Sequence, residues 1–371
     1  MENTHTVLVV GAGVAGLHAT ATLAAAGLDV LCLEARDRVG GRLLSVGVHT
    51  DAQPSRDGGG YLDLGATWFW AGERRIQSLI ARFGIGVFAQ HTAGDGVFED
   101  RDGVRRLDGN PIDVPAFRYA TGAQSIATAL AATLPSGTVR LSSPVSGISA
   151  DPNGLRVTTA QSDLCAAHVV LAIPPALATR IRFDPCLPPQ LARLAVATPV
   201  WMGAVTKVVI QYPEPFWHRR GLAGSAVSSV GPLREIHDMS GPKTAALFGF
   251  APSDPAHPKR AATRRPMEER VLDQLVRMFG PQLASPLRIS ILDWSRQPYT
   301  SPPGVAELSD YQLFGHPLYA RPALQGRLHW ASTETSSASA GHVEGALAAG
   351  ERAAAHVLTT LASAAVTSTL E

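Results

Sequence analysis

Three glycines, Gly11, Gly13 and Gly16, spell G-x-G-x-x-G between an apolar run, Thr6 to Val10, and an alanine-rich run, Leu17 to Ala26. That spacing lets the chain turn tightly, bring bare backbone against a pyrophosphate and pack a helix close behind it, its N-terminus facing the phosphates. Val14 and Ala15 lie inside the turn and share the expected contact. Glu34 follows roughly twenty residues on, where a carboxylate would accept ribose hydroxyls and repel a 2′-phosphate. Two further side chains are candidates for chemistry. Lys207 stands in the apolar run Val205 to Tyr212, where a lysine either snorkels to solvent or is held inside by a defined polar partner. His342 opens a helix-forming segment; its imidazole could accept a proton or bind a substrate, or simply face solvent.

These residues need elements to hold them. Thr6 to Val10 has no polar alternation, so it reads as a strand buried on both faces. The helix after Gly16 ends at Gly27, and Leu28 to Leu33 forms the next strand, which makes a right-handed parallel βαβ unit. Arg74 to Phe83 reads as a helix closed by Gly84, and Gln124 to Leu134 as another. Strands are expected at Val139 to Leu141, Gly147 to Ser149, Leu155 to Thr159, His168 to Ile173, Val205 to Tyr212, Ala245 to Phe250, Arg288 to Trp294 and Leu328 to Ala331. Helices are expected at Met267 to Phe279 and from about His342 to Leu361. Val87 to Tyr119 shows little periodicity and reads as irregular or as the start of a second domain, and Ser253 to Arg265, dense in Pro and basic residues, as a surface loop.

Composition narrows the class. A chain of 371 residues suits about two domains, and 45% hydrophobic residues with a net charge of +1 imply a globular protein without a nucleic-acid partner. Cys32, Cys165 and Cys186 are scattered and lack metal-ligand spacing, which fits a reducing cytoplasm and excludes a disulfide framework. Neither a signal peptide nor a membrane segment is expected.

After Glu34 come Ala35-Arg36-Asp37-Arg38-Val39-Gly40-Gly41-Arg42, and here the chain resembles the flavin amine oxidase family. Further matching stretches are Leu62-Asp63-Leu64-Gly65-Ala66-Thr67-Trp68, Ser143-Pro144-Val145, Leu171-Ala172-Ile173-Pro174-Pro175, Val205-Thr206-Lys207 and Trp294-Ser295-Arg296-Gln297-Pro298-Tyr299. The closing stretch, Gly326 to Ala331, Thr333-Glu334-Thr335 and Gly341-His342-Val343-Glu344-Gly345-Ala346, is similar to that family's C-terminal signature. The resemblance implies FAD, and the absence of a cysteine after Tyr299 implies that it is held non-covalently. Ala35 and Arg36 would contact it, and Gly41 and Arg42 would lie along its diphosphate and ribityl chain, with Arg42 offsetting phosphate charge. Gly65, Ala66, Thr67 and Trp68 would lie beside the isoalloxazine and Val145 by the adenine. Trp294, Thr333, Val343 and Ala346 would contact the cofactor, and Glu334 would hold ribityl hydroxyls. The helix from His342 would aim its positive end at flavin N1 and C2=O. Lys207 would hold a water at flavin N5 and serve electron transfer to oxygen.

The sequence also departs from monoamine oxidases. Thr300-Ser301-Pro302-Pro303-Gly304 stands where the flavin-linking cysteine and a first substrate-flanking tyrosine are expected, and His342 replaces the second tyrosine. The expected fold is α/β: a Rossmann-type doubly wound FAD domain of residues 1–85, 122–196 and 292–371, with an inserted α+β substrate domain of 86–121 and 197–291. The expected activity is oxidation of a C–N bond in a small amine or amino-acid-like molecule, with O2 as acceptor. A flavin dehydrogenase or desaturase acting on C–C or C–O bonds, or a non-catalytic flavoprotein, is the alternative.

Overall fold

The computed structural model describes residues 4–48, 60–253 and 265–369. Strands Leu328–Trp330, Asp163–Leu171, Thr4–Val10, Val30–Leu33 and Val139–Arg140 pair in parallel in that order. Thr4–Val10 is central, and its residues Val7 to Val9 are wholly buried, which is why this run carries no polar alternation. Val145–Asp151, Gly154–Thr159 and Asp163–Leu171 form an antiparallel meander, and Arg182–Asp184 closes that edge of an eight-stranded sheet.

Helices cover both faces. On one side Val14–Ala25, Gln124–Ala132 and the long Val343–Thr369 bury Leu17, Leu23, Ile126, Leu130, Leu347 and Val357. On the other, Pro189–Ala197 and the Tyr319–Trp330 aromatic contact cover Leu8, Leu31 and Leu171. Each such aliphatic side chain contributes about 1.5–3 kcal/mol by leaving water. The expected Rossmann-type α/β architecture is therefore present.

A second sheet has seven strands in the order Arg288–Asp293, Val205–Tyr212, Ala245–Pro252, Glu235–Asp238, Leu222–Ser228, Asp95–Asp100 and Gly103–Arg106. Helix Met267–Phe279 covers one face, burying Val271, Leu275 and Phe279 against Val208, Ile210 and Leu247. The opposite face carries Val209, Phe248 and Phe250 and looks toward the first sheet through Leu62, Leu64 and Trp68.

Several local expectations change. Val87 to Tyr119 is not irregular: Val87–Ala89 pairs with Phe117–Tyr119, and Asp95–Asp100 pairs with Gly103–Arg106 and, on its other side, with Leu222–Ser228 of the second sheet. Leu222–Ser228 and Glu235–Asp238 were not expected as strands. The first is rich in Ala, Gly and Ser, and ladder bonds on both sides make up for its weak intrinsic preference. The last helix runs beyond Leu361, to Thr369. Arg74–Phe83 ends as expected, because Gly84 adopts a left-handed conformation with φ 63°. The expected loop Ser253 to Arg265 lies almost wholly outside the described residues, and no described helix is long and apolar enough to cross a membrane.

Candidate active site

The first crossover opens onto a cavity of about 760 Å³ that continues between the two sheets. Its wall brings together Gly11, Gly13, Val14, Ala15, Glu34, Ala35, Arg36, Gly41, Arg42, Gly65, Ala66, Thr67, Trp68, Val145, Lys207, Trp294, Thr333, His342, Val343 and Ala346. Residues from across the chain thus meet at one surface.

The glycine turn divides its labour. A Cβ on Gly16 would stand 1.9 Å from the Gly11 carbonyl oxygen, so this position serves helix packing and lies behind the wall. A Cβ on Gly13 would meet nothing within 4 Å, which leaves bare backbone open to the cavity. Gly40, whose φ is 106°, bridges to Gly13 and sets the second glycine pair beside the first. Glu34 is buried; its Oε2 accepts the Ala12 N–H at 2.7 Å and its Oε1 the Arg36 N–H at 2.9 Å. These two bonds fix the carboxylate at the cavity wall.

Arg42 lines the cavity and pairs there with Glu334. Glu334 is fully buried and does not line the cavity. A buried carboxylate requires a countercharge, and Arg42 supplies one in two-pronged fashion at 2.6 and 3.1 Å. The same pair holds the turn at Trp201, whose N–H donates to Glu334 and whose carbonyl accepts from Arg42.

Lys207 does not snorkel. Its side chain lies on the cavity side of strand Val205–Tyr212, 2% exposed, while Val208 and Ile210 point to the opposite core. Nζ donates to the Gly65 carbonyl at 2.8 Å and to Thr67 Oγ1 at 2.5 Å, and stands 4.3 Å from the centre of the Phe248 ring. Burial brings its pKa down to about 7, against an opposing pull from Asp63 and with a small push from Arg118. A lysine so tuned exchanges its proton near neutrality.

His342 precedes helix Val343–Thr369. Its Nδ1 lies 2.7 Å from Glu73 Oε1, its ring stacks on Trp70 at 4.7 Å, and its carbonyl accepts from Thr333 Oγ1. The imidazole is therefore held, not pointed freely to solvent. Several wall residues are not singled out by the sequence: Trp70, Trp201, Glu235, Tyr311 and Ser332. Trp70 and Ser332 adjoin recognised motifs, and their nearness to Trp68 and Thr333 was the only available clue.

The wall fits a flavin dinucleotide. Gly13 presents open backbone, Glu34 stands at the end of the second strand, and the buried Ser332 Oγ has no partner among the described residues. The first turn of Val343–Thr369 adds amides that a helix cannot satisfy internally. None of the three cysteines lines the cavity.

A doubly wound sheet whose first crossover feeds a dinucleotide-sized cavity, with a buried amine in its far wall, defines an FAD-dependent oxidoreductase. The chain belongs to the flavin containing amine oxidoreductase family, whose profile matches residues 95–358, while an NAD(P)-binding Rossmann-like profile matches 9–83. It is 26% identical, over 95% of its length and 97% of the relative's, to a Dictyostelium discoideum protein named as a flavin-containing monoamine oxidase A. It is 32% identical to an L-amino acid dehydrogenase of Synechocystis, over 64% of this chain and 50% of that one. Its fold matches the cyclohexylamine oxidase of Brevibacterium oxydans with a TM-score of 0.80 and 24% identity, covering 96% of this chain and 99% of the other.

Proposed function

We propose that this chain oxidises the C–N bond of a small amine or amino-acid-like molecule and passes the electrons to O2. The balanced reaction takes amine, O2 and water to carbonyl compound, ammonia and H2O2. FAD, when bound, supplies the two-electron acceptor for hydride from the carbon beside nitrogen. The chain's own groups hold and orient. Gly11, Gly13, Val14 and Ala15 offer backbone to the diphosphate, and Glu34, already fixed by two amide donors, accepts adenosine hydroxyls. Arg36 and Val145 flank that end, and Gly41 gives close backbone access. Glu334 acts through Arg42, locking it and the Trp201 turn. Gly65, Ala66, Thr67, Trp68 and Trp294 form the wall beside the ring system, and Thr333, His342, Val343 and Ala346 the helix end facing it. The proposed division is a cofactor domain of 1–85, 122–196 and 292–371 and a substrate domain of 86–121 and 197–291; the two sheets support it, with strand Arg288–Asp293 crossing the boundary.

One observation carries the reading: Lys207 Nζ is held in the cavity wall by Gly65 and Thr67, two residues of the segment assigned to the flavin ring. Near pH 7 it can hold a water and give or take a proton at Nζ. His342, fixed by Glu73, lines the same cavity and is the second candidate for chemistry there. Anaerobic mixing of the yellow holoenzyme with a panel of amines and amino acids tests the reading. Bleaching by at least one compound, and recovery of colour on admitting air, are expected. Bleaching reversed only by an artificial dye would make the protein a dehydrogenase.

A further inference from the structure

His342 is fixed from several sides. Gly341, whose φ is 87°, turns the chain into helix Val343–Thr369, and a Cβ there would lie 2.8 Å from the Trp201 ring, so the approach to His342 is tightly set. The His342 N–H donates to the Ser339 carbonyl, and its own carbonyl accepts from Thr333 Oγ1 and the Ala346 N–H. The imidazole lies 4.7 Å from the ring of Trp70, which lines the same cavity.

The two ring nitrogens have different surroundings. Nδ1 lies 2.7 Å from Glu73 Oε1. Glu73 is buried and does not line the cavity, and its Oε2 accepts the Trp70 N–H at 3.0 Å. A carboxylate can only accept, so the proton of a neutral imidazole sits on Nδ1 and the lone pair on Nε2. Among the described residues nothing bonds Nε2, and the side chain is 37% exposed where it lines the cavity.

Neighbouring charges are engaged elsewhere. Glu344, on the helix that His342 opens, is bound by the amides of Arg75 and Ile76 and by the Arg75 guanidinium, which also pairs with Glu351. The Tyr119 phenol, near Glu73, is pushed up by burial and stays neutral. Lys207, in the same wall, is the competing base, and it donates to Gly65 and Thr67.

Hydride cannot leave a carbon beside an ammonium, because that nitrogen has no lone pair to share with the carbon. One proton must go first. We propose that Glu73 is a positioning residue that holds His342 in the Nδ1–H tautomer, so that Nε2 takes this proton from the substrate's ammonium. The N–H bond breaks, its electron pair stays on the substrate nitrogen, and the imidazolium formed is balanced by the Glu73 carboxylate. The inference rests on the proposed amine oxidation and names the proton acceptor of that same cavity.

Two measurements test it. Nitrogen-15 NMR of histidine-labelled holoenzyme at pH 8, with the His342 signals identified by their loss in His342→Gln, should show a protonated Nδ1 and a bare Nε2. Glu73→Gln should populate both tautomers, since an amide donates as well as accepts. A proton on Nε2 in the wild type would overturn the inference. The second measurement is anaerobic stopped-flow flavin reduction at pH 8. An amine that bleaches the flavin, such as hexylamine, arrives as the cation, whereas its 2,2-difluoro analogue arrives mainly neutral. His342→Gln should slow reduction by the first at least about tenfold and by the second less than about threefold. Glu73→Gln should show the same selectivity with a smaller loss, and carries the comparison if His342→Gln loses FAD. Equal slowing with both substrates would make the contact structural, and a selective loss found only in Lys207→Met would make the lysine the base; either result overturns the inference. If no amine bleaches the flavin, the proposed oxidation fails and the base role with it, while the NMR still reads the tautomer that Glu73 imposes.

Discussion

A single amine carries the two most direct tests. Lys207→Met keeps most of the side-chain volume, so folding and FAD binding should survive. Stopped-flow reoxidation of the reduced enzyme by oxygen should slow at least about tenfold, or 1.4 kcal/mol of barrier, with a smaller effect on reduction. Equal slowing of both half-reactions would give Lys207 a structural part instead. Its acidity also has a thermodynamic consequence. The pKa falls from 10.5 unfolded to about 7 folded, so between those values the unfolded chain binds more protons and stability rises with pH. Below pH 7 the buried charge is a full penalty. The Tm of Lys207→Met minus that of the wild type should therefore be largest near pH 6 and shrink steadily towards pH 10. A flat difference would mean that the amine is not desolvated as its burial indicates. Glu34 needs a paired test, because its carboxylate also satisfies the amides of Ala12 and Arg36. Glu34→Gln keeps one acceptor and should lose roughly ten- to a hundredfold in FAD affinity, measured by equilibrium dialysis, with the fold intact. Glu34→Ala should destabilise the apoprotein as well.

Elements in this molecule end on one another. Helix Arg74–Phe83 has no side-chain cap of its own. Glu344, on the first turn of the last helix, accepts the amides of Arg75 and Ile76 at 3.2 and 3.0 Å. One helix start thus caps another with a carboxylate near its positive end. Glu344→Ala should cost about 1–2 kcal/mol in urea unfolding. It should also weaken FAD retention, since His342 and Glu73 link the same two helix starts beside the cavity. A loss of stability with FAD affinity unchanged would uncouple the cap from the cofactor wall.

At the scale of the whole molecule, none of the three cysteines stands at the cavity wall. Cys32 and Cys165 are buried in the first sheet, burial pushing the Cys32 thiol up to about 12, and Cys186 is exposed away from the cavity. Acid or heat precipitation should therefore release intact FAD into the supernatant, identified by chromatography. Flavin that stays with the pellet would show a covalent link.

The sequence by itself determined whatever depends on neighbours along the chain. The Gly11, Gly13 and Gly16 turn, the strand before it, the helix behind it and Glu34 lie within one βαβ unit, so local pattern and local chemistry coincide. The last helix was legible from Gly341 and the alanine run for the same reason. Pairing across the sequence was decided only by the tertiary structure. Arg42 and Glu334 stand 292 residues apart in sequence, and nothing local announces that they pair, because a buried carboxylate takes whatever guanidinium the fold brings beside it. Leu222–Ser228 and Glu235–Asp238 lack strand propensity and become strands only because paired neighbours satisfy their backbone. Lys207 was visible as an anomaly on an apolar strand, but its depressed pKa depends on Gly65, Thr67 and Phe248 closing over it. Glu235 carried no signal at all: its place in line with Lys207, with Phe250 between them, is a matter of register, and register belongs to the sheet, not to any one strand.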